Sequence, residues 1–202
     1  MPPPKARKPR RASARRETTE TRIALDLDLD GSGKWEIETG VPFFDHMLSH
    51  VARHGMLDLR LSAQGDIEVD YHHLVEDVGI VLGGCLAEAL GDKAGIVRYG
   101  EACVPMDEAL VLVVLDFSGR PHLAYDVEIG PHKTGQFDTE LGQVFFNAVA
   151  AHGRLTLHVR QLAGSNSHHI LEAAFKAFGR AVDQAATLDP RRGDIPSTKG
   201  TL

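Results

Sequence analysis

The sequence contains one five-residue pattern twice, in which two adjacent histidines precede two apolar residues and a glutamate. The two copies occupy residues 72–76 and 168–172. If each copy begins a helix, residues three or four positions apart share a face, so each glutamate can converge with a histidine before it. Adjacent histidines point about 100° apart on a helix, so each pair would divide its rings between two ions. The predicted metal ligands of the two motifs are His72, His73, Glu76, His168, His169 and Glu172.

Imidazole and carboxylate ligands without a thiolate suit Mn, Fe, Co, Ni or Zn better than Ca or Mg. A single motif of this kind would more often be a polar cap on an exposed helix, but two copies in register favour metal binding. The spacing also differs from the His-Glu-x-x-His pattern of zinc proteases. His46, beside Asp45, is a further candidate ligand. Asp77 could orient one of the metal ligands without binding the metal itself. His158 could be either a ligand or a surface residue.

Cations and hydroxyl groups elsewhere in the chain predict a phosphate site. The segment 196–200, Pro-Ser-Thr-Lys-Gly, offers two hydroxyl groups, a cation and a flexible backbone. Arg98, Arg120 and Lys176 are isolated cations, and Arg and Lys side chains bind phosphate or carboxylate oxygens. The sequence contains neither of the common glycine-rich nucleotide loops. We therefore expect a small phosphorylated substrate rather than ATP or NAD.

The elements that must position these residues also occur twice. Each half is predicted as strand, turn, return strand, helix, strand and long helix, from alternating apolar residues in the strands and helical apolar spacing in the helices. In the first half, the predicted elements span 22–29, 34–38, 43–54, 57–61 and 71–90. In the second half, they span 109–116, 121–127, 139–151, 155–161 and 168–186. The turn after the first strand of each half is expected to make a hairpin with the return strand.

This repetition predicts an α+β fold with an internally duplicated unit, in which each half is a small, mostly antiparallel sheet packed with two helices. The halves are expected to span residues 17–95 and 96–202. Residues 1–16 contain seven Lys or Arg, four Pro and no acidic residue, and we interpret them as a disordered basic tail. A nucleic-acid-binding arm is the alternative. It is not expected, because no aromatic residue interleaves these charges, and the 15 basic and 28 acidic residues that remain give the rest of the chain a charge of −13.

The chain has 202 residues, of which 43% are hydrophobic and 25% charged, the composition of a globular protein with a sizeable core. The longest apolar run, Ala109–Leu115, is too short to cross a bilayer, and residues 1–16 lack the apolar region of a signal peptide. Cys85 and Cys103 are the two cysteines, which excludes a disulfide framework. We therefore expect a cytoplasmic protein without membrane contact.

Seven segments of the sequence resemble the imidazoleglycerol-phosphate dehydratase family of histidine biosynthesis. They are residues 16–21, 39–48, 72–76, 105–109, 116–120, 168–172 and 196–200. The resemblance implies a duplicated α+β fold, two Mn²⁺ ions per active site, and active sites at the subunit interfaces of a 24-subunit shell. It also implies the removal of water from D-erythro-imidazole glycerol phosphate, which gives imidazole acetol phosphate in the synthesis of L-histidine.

The resemblance implies a role for individual residues as well. Glu20 would be the acid–base group that takes the carbon-bound proton, with the metal as template and Lewis acid. His46 would join the six motif residues as a metal ligand. The residues expected to bind substrate are Glu20, His50, Arg98, Arg120, Lys176, Ser197 and Lys199.

Two positions depart from the family pattern. Val144 stands where several members carry a ligand histidine, so one metal site would need another donor, such as a water, His152 or His158. His50 stands where Gln is expected among the phosphate contacts. Two other functions stay open: a metal-organised shell or storage protein, which gives no reason for the phosphate-binding cations, and a dinuclear metal phosphatase, which would release inorganic phosphate.

Overall fold

The structure is a computed structural model that describes residues 9–130 and 132–202. The two halves of the chain share one order of elements: three strands, a helix, a strand and a long helix. The first half contains β1 (Arg11–Glu17), β2 (Thr21–Asp28), β3 (Trp35–Glu38), α1 (Pro42–His54), β4 (Asp58–Gly65) and α2 (His72–Leu90). The second half contains β5 (Tyr99–Met106), β6 (Ala109–Asp116), β7 (His122–Asp126), α3 (Leu141–Gly153), β10 (Thr156–Ala163) and α4 (Ser167–Ala186). A short hairpin of β8 (Lys133–Thr134) and β9 (Phe137–Asp138) precedes α3.

Each half builds a four-stranded sheet, with the strand order β1-β2-β4-β3 in one and β5-β6-β10-β7 in the other. Two of the three strand pairs in each sheet are antiparallel, and the pairs β3–β4 and β7–β10 are parallel. The predicted hairpins are wrong, because β4 lies between β2 and β3, and β10 lies between β6 and β7. The longer strands β4 and β10 bury alternate apolar side chains and take the inner positions. The short, exposed β3 suits an edge.

The prediction of a disordered tail over residues 1–16 is wrong for residues 11–16, which belong to β1. This strand pairs with β2 along its whole length, and Arg11 forms an ion pair with Asp28. Ala12 faces the core with 4% of its surface exposed. Its small side chain gives a weak apolar signal among charged neighbours, so the sequence of this segment does not show the alternation of a strand. Residues 1–8 of the predicted tail lie outside the described residues.

Helix α2 packs against α3, and α4 packs against α1, so closely that their main chains are almost in contact. Gly83 of α2 faces α3 so closely that a Cβ atom there would lie 2.7 Å from the carbonyl oxygen of Val149 and 2.8 Å from the nitrogen of Gly153. In α4, a Cβ atom on Gly179 would lie 2.7 Å from the carbonyl oxygen of Val51 in α1. Both glycines lie eleven residues after the first histidine of their motif (72 to 83 and 168 to 179). The duplication therefore extends to the helix contacts themselves.

The two long helices, α2 and α4, run from the histidine motifs into the core and bury most of their residues. Both begin at the motifs, as the sequence predicts. Among the helices in the described ranges, none is both long enough and apolar enough to cross a membrane.

The close contact between α2 and α3 generates a stability prediction. We expect Gly83→Ala to lower the free energy of unfolding by about 1–3 kcal/mol, because the new methyl group meets main-chain atoms that cannot rotate away. The matched control is Gly84→Ala in the same helix, where no atom lies within 4 Å of the added Cβ. This control should gain up to about 1 kcal/mol from the higher helix propensity of alanine. Chemical denaturation of both variants at one protein concentration is the measurement, and equal effects would contradict the packing argument.

Candidate active site

The clearest cluster of predicted ligands lies between α1 and α4. Glu172 follows His168 by one helical turn, and one of its carboxylate oxygens, Oε2, lies 3.0 Å from His168 Nε2. The same oxygen lies 3.2 Å from His46 Nε2 on α1. The Glu172 side chain is only 6% exposed, because α1 covers it. The structure thus brings together three of the predicted metal ligands.

Two further polar groups surround the second carboxylate oxygen of Glu172. Lys176 Nζ lies 2.5 Å from Oε1, and His50 Nε2 lies 3.4 Å from it. Burial by itself would raise the pKa of Glu172, but the hydrogen bond from Lys176 and the charges of its neighbours outweigh burial and lower the pKa to about 2. Burial lowers the pKa of His50 to about 4, so this imidazole is neutral at pH 7. Neutral imidazole and ionised carboxylate are the forms that bind metals.

The adjacent histidines of each motif diverge, as helix geometry predicts. Their ring planes are inclined by 84° in the first motif and by 79° in the second. The second histidine of each motif is held at Nδ1 by a carboxylate: His73 by Asp66 at 3.0 Å and His169 by Glu108 at 2.7 Å. These hydrogen bonds raise the pKa of both histidines and leave Nε2 of each ring directed away from the carboxylate.

Asp66 and Glu108 are functional candidates that the sequence reasoning did not identify. Glu108 comes just before β6 in the same way that Glu20 comes just before β2. Comparison of the two halves residue by residue would have found Glu108. Asp66 gives no comparable signal, because its counterpart region before α4 carries no acidic residue.

Glu20, the predicted acid–base residue, lies in the turn between β1 and β2. Its Oε2 is 3.8 Å from His73 Nδ1. The Thr18 hydroxyl accepts hydrogen bonds from the backbone N–H groups of Glu20 and Thr21, which fixes the turn. The Thr21 hydroxyl donates to the buried carboxylate of Asp77 at 2.5 Å. Asp77 therefore anchors this turn to α2, where the sequence had suggested that it orients a metal ligand.

The two motifs have different surroundings, because α1 and α3 carry different residues. The glycine contacts make Val51 of α1 equivalent to Val149 of α3. Five residues before these two valines lie His46 in α1 and Val144 in α3, so the structure places Val144 where a histidine donor stands in the other half. Glu76 beside α3 is exposed, in contrast to its buried counterpart on α4.

The alternative donors named for the Val144 position lie away from it. His158 is exposed and alternates along β10 with the buried Leu157 and Val159, so its ring is on the outer face of the sheet. There it lies near His122, with 6.0 Å between the ring centroids. His152 is exposed at the far end of α3, two turns from Val144. Within one chain, the described structure puts neither histidine beside the first motif.

Four of the predicted substrate contacts line one open cavity of about 640 Å³. They are Arg98, Arg120, Ser197 and Lys199. Arg98 is fixed there, since it donates to Asp116 at 2.7 and 3.1 Å and to the Pro196 carbonyl oxygen at 2.7 Å. The cavity has the size of a small-molecule site and three arginines with a lysine at its wall. Lys176 and His50, predicted for the same role, lie instead beside Glu172.

The predicted site residues therefore fall into three separate groups in one chain. The first is the turn at Glu20 with the first motif, the second is the cluster around Glu172, and the third is the cavity with the arginines. Among the described residues, no hydrogen bond or ion pair joins one group to another. The described residues of one chain thus form three sets of contacts, each with its own neighbours.

The anchor of the Glu20 turn generates a second stability prediction. Thr21→Val removes the hydroxyl donor but keeps the shape of the side chain, and it leaves the buried Asp77 carboxylate short of one partner. We expect the free energy of unfolding to fall by about 1–3 kcal/mol in urea denaturation. The control is Thr19→Val in the same turn, where the side chain is exposed and a change within about 0.5 kcal/mol is expected. Equal losses in both variants would refute the anchoring role.

Comparisons with known sequences agree on one family. The family model described as imidazoleglycerol-phosphate dehydratase matches residues 39–182. The imidazoleglycerol-phosphate dehydratase of Moorella thermoacetica is 61% identical over 193 residues, which cover 96% of this chain and 98% of that protein. The protein of the same name from Ruegeria pomeroyi is 58% identical over 194 residues and is covered completely.

Comparisons with solved structures give the same result for the fold. The crystal structure of imidazoleglycerol-phosphate dehydratase from Staphylococcus aureus matches with a TM-score of 0.81 and 42% identity, and it covers 89% of this chain and 99% of its own. The structure of IGPD from Pyrococcus furiosus in complex with (S)-C348 matches with a TM-score of 0.82 and 40% identity, over 94% of this chain and all of its own. The predicted α+β fold with an internally duplicated unit is confirmed.

Proposed function

The chain belongs to the imidazoleglycerol-phosphate dehydratase family, and on that basis we propose that it removes water from D-erythro-imidazole glycerol phosphate to give imidazole acetol phosphate. The enzyme is a dehydratase and therefore a lyase, and the reaction is a step in L-histidine synthesis. One observation supports the proposal that this reaction depends on a metal ion. The buried carboxylate of Glu172 lies within 3.2 Å of two imidazole nitrogens, in a chain whose sequence repeats the motif that supplies them.

The residues present fit the metal that the family implies, which we propose to be Mn²⁺ with two ions per active site. Ligands of one ion at bond lengths of about 2.1 Å lie roughly 3.0–3.4 Å apart, and Glu172 Oε2 lies at such distances from both His46 Nε2 and His168 Nε2. His46, His168 and Glu172 would hold one ion. The remaining motif residues, His72, His73, Glu76 and His169, would contribute to both ions. When bound, the metal would supply a Lewis acid and a template for the imidazole ring of the substrate.

The chain's own residues would perform the remaining tasks. Glu20 would accept the carbon-bound proton, since its carboxylate is half-exposed and held by a rigid turn next to His73. Arg98, Arg120, Ser197 and Lys199 would hold the phosphate group, because their donors converge in one cavity. Lys176 would place a second cation near the substrate from the Glu172 side.

We further propose that each active site is completed by another subunit in a 24-subunit shell. The support from the structure is that, among the described residues, no hydrogen bond or ion pair joins the Glu20 turn, the phosphate cavity and the Glu172 cluster within one chain. A neighbouring chain would bring these groups together around one substrate. Interfacial sites of this kind are common where closed symmetry repeats one contact.

The first test is turnover of imidazole glycerol phosphate by chelator-stripped protein, with and without added Mn²⁺, followed as formation of the ketone product. We expect turnover only with metal and a loss of more than about 100-fold in His168→Ala, because a direct metal ligand is removed. His158→Ala on the outer sheet face is the matched control and should keep wild-type activity. A metal-loaded, assembled protein without turnover would refute the enzyme, and release of inorganic phosphate would identify a phosphatase instead.

The shared site can be tested separately by mixing two inactive variants. Glu20→Gln keeps His168, and His168→Ala keeps Glu20, so a site built from both chains can draw one intact residue from each. Co-expression of the two differently tagged variants should restore about a quarter of wild-type activity when Glu20 and His168 of one site come from different subunits. Mixed assemblies that contain both tags but remain inactive would show that one chain supplies both residues.

A further inference from the structure

A row of histidines follows one face of α1, along the seam where this helix meets α4. His46, His50 and His54 are spaced four residues apart, so their rings stack along one face. The ring centroids of His46 and His50 are 4.5 Å apart, and those of His50 and His54 are 5.7 Å apart. The first two of these rings reach the Glu172 carboxylate. His50 therefore stands beside the proposed metal ligands rather than in the phosphate cavity to which the sequence assigned it.

The donor atom of His50 has the position that a metal ligand requires. Its Nε2 lies 3.3 Å from His46 Nε2 and 3.4 Å from Glu172 Oε1. In a tetrahedral zinc-type site with bonds of about 2.05 Å, neighbouring ligands are roughly 3.3 Å apart. The donor atoms of His46, His50 and Glu172 all lie within 4.8 Å of one another. Three donor atoms from two helices thus lie close enough together to bind one ion.

We infer that His50 is a direct ligand of the ion held between α1 and α4. Helices α1 and α4 of one chain then supply four donors to this ion, the imidazoles of His46, His50 and His168 and the carboxylate of Glu172. This inference rests on the metal dependence in the proposed function. It also replaces the substrate contact that the sequence suggested for His50.

The duplicated structure makes the two metal sites unequal. The residue of α3 equivalent to His50 is Ala148, as Val144 is the equivalent of His46. Helix α3 therefore offers the first motif no imidazole at either position. The ion between α1 and α4 would therefore have two additional imidazole ligands, His46 and His50, that α3 does not offer to the ion at the first motif. An additional imidazole favours Co²⁺ and Zn²⁺ over Mn²⁺, because nitrogen donors suit these ions better.

A hydrogen bond from His50 to Glu172 is the competing explanation of the same contacts. Lys176 already donates to the same oxygen at 2.5 Å, so Glu172 has a strong donor there without His50. The two explanations predict different metal preferences. A lost hydrogen bond would weaken all ions alike, whereas a lost nitrogen ligand would weaken Co²⁺ and Zn²⁺ more than Mn²⁺.

The test compares His50→Gln with His54→Gln in the full-length protein, loaded with Co²⁺, Zn²⁺ or Mn²⁺ alone. Competition with a chelator gives the affinity of each bound ion, and the visible absorption of Co²⁺ gives its ligand set. We expect His50→Gln to weaken one of the two Co²⁺ ions at least tenfold, to weaken Mn²⁺ less, and to shift the Co²⁺ bands. His54→Gln, one turn further along α1, should change none of these. His50→Glu, which puts a carboxylate oxygen in place of the imidazole nitrogen, should recover the affinity for Mn²⁺ more than the affinity for Co²⁺ or Zn²⁺.

The outcomes separate this inference from the proposed function. Equal weakening of all three ions without a spectral shift would overturn direct ligation by His50 and leave a role in positioning Glu172. Unchanged affinities in His50→Gln, with normal metal-dependent turnover in the wild type, would overturn the inference alone. A wild-type protein that binds none of these ions would overturn both the inference and the metal dependence. Thermal unfolding of each apo variant shows whether a loss of affinity comes from a loss of folding.

Discussion

The burial of one carboxylate, Glu172, is the constraint on which the rest of the site depends. A carboxylate with 6% of its surface exposed remains ionised only if hydrogen bonds and positive charges replace its lost hydration. Lys176 supplies the charge, and the imidazoles of α1 lie around both oxygens. The arrangement requires α1 and α4 to meet closely, and the glycine contact between these helices permits it. The ionised state of Glu172 therefore depends on the close packing of α1 against α4.

The two halves of the duplicated fold differ in this arrangement. In the second-half motif, Glu172 is enclosed by histidines of α1. In the first-half motif, Glu76 is exposed beside an α3 that carries Val144. The carboxylate that is hydrogen-bonded to the second histidine of each motif differs as well: Asp66 contacts His73, and Glu108 contacts His169. A shared backbone arrangement thus holds two different sets of side chains around the two motifs.

The sequence predicted the repeat, the order of most elements and the start of each long helix at a histidine motif, because these signals are local. Helical spacing places His168 and Glu172 on one face whatever surrounds them. It did not predict strand order, since β2 pairs with β4 through contacts between distant segments. The sequence analysis also did not predict β1, where the inward-facing residues are alanines and not the larger apolar residues typical of a strand. It did not predict β5 either. Nor could spacing show that Lys176 and His50 contact Glu172 instead of lining the phosphate cavity, because this depends on tertiary packing.

The fixed distance between each histidine motif and its glycine has a consequence for changes in chain length. The carboxylate and the glycine must face the same neighbouring helix, and they are seven residues apart in both copies (76 to 83 and 172 to 179). One inserted residue between them would rotate the carboxylate by about 100° away from its partners. Insertions and deletions are thus excluded from this stretch of α2 and α4. In each long helix, the position of the buried glycine contact therefore determines the direction in which the glutamate of the motif points.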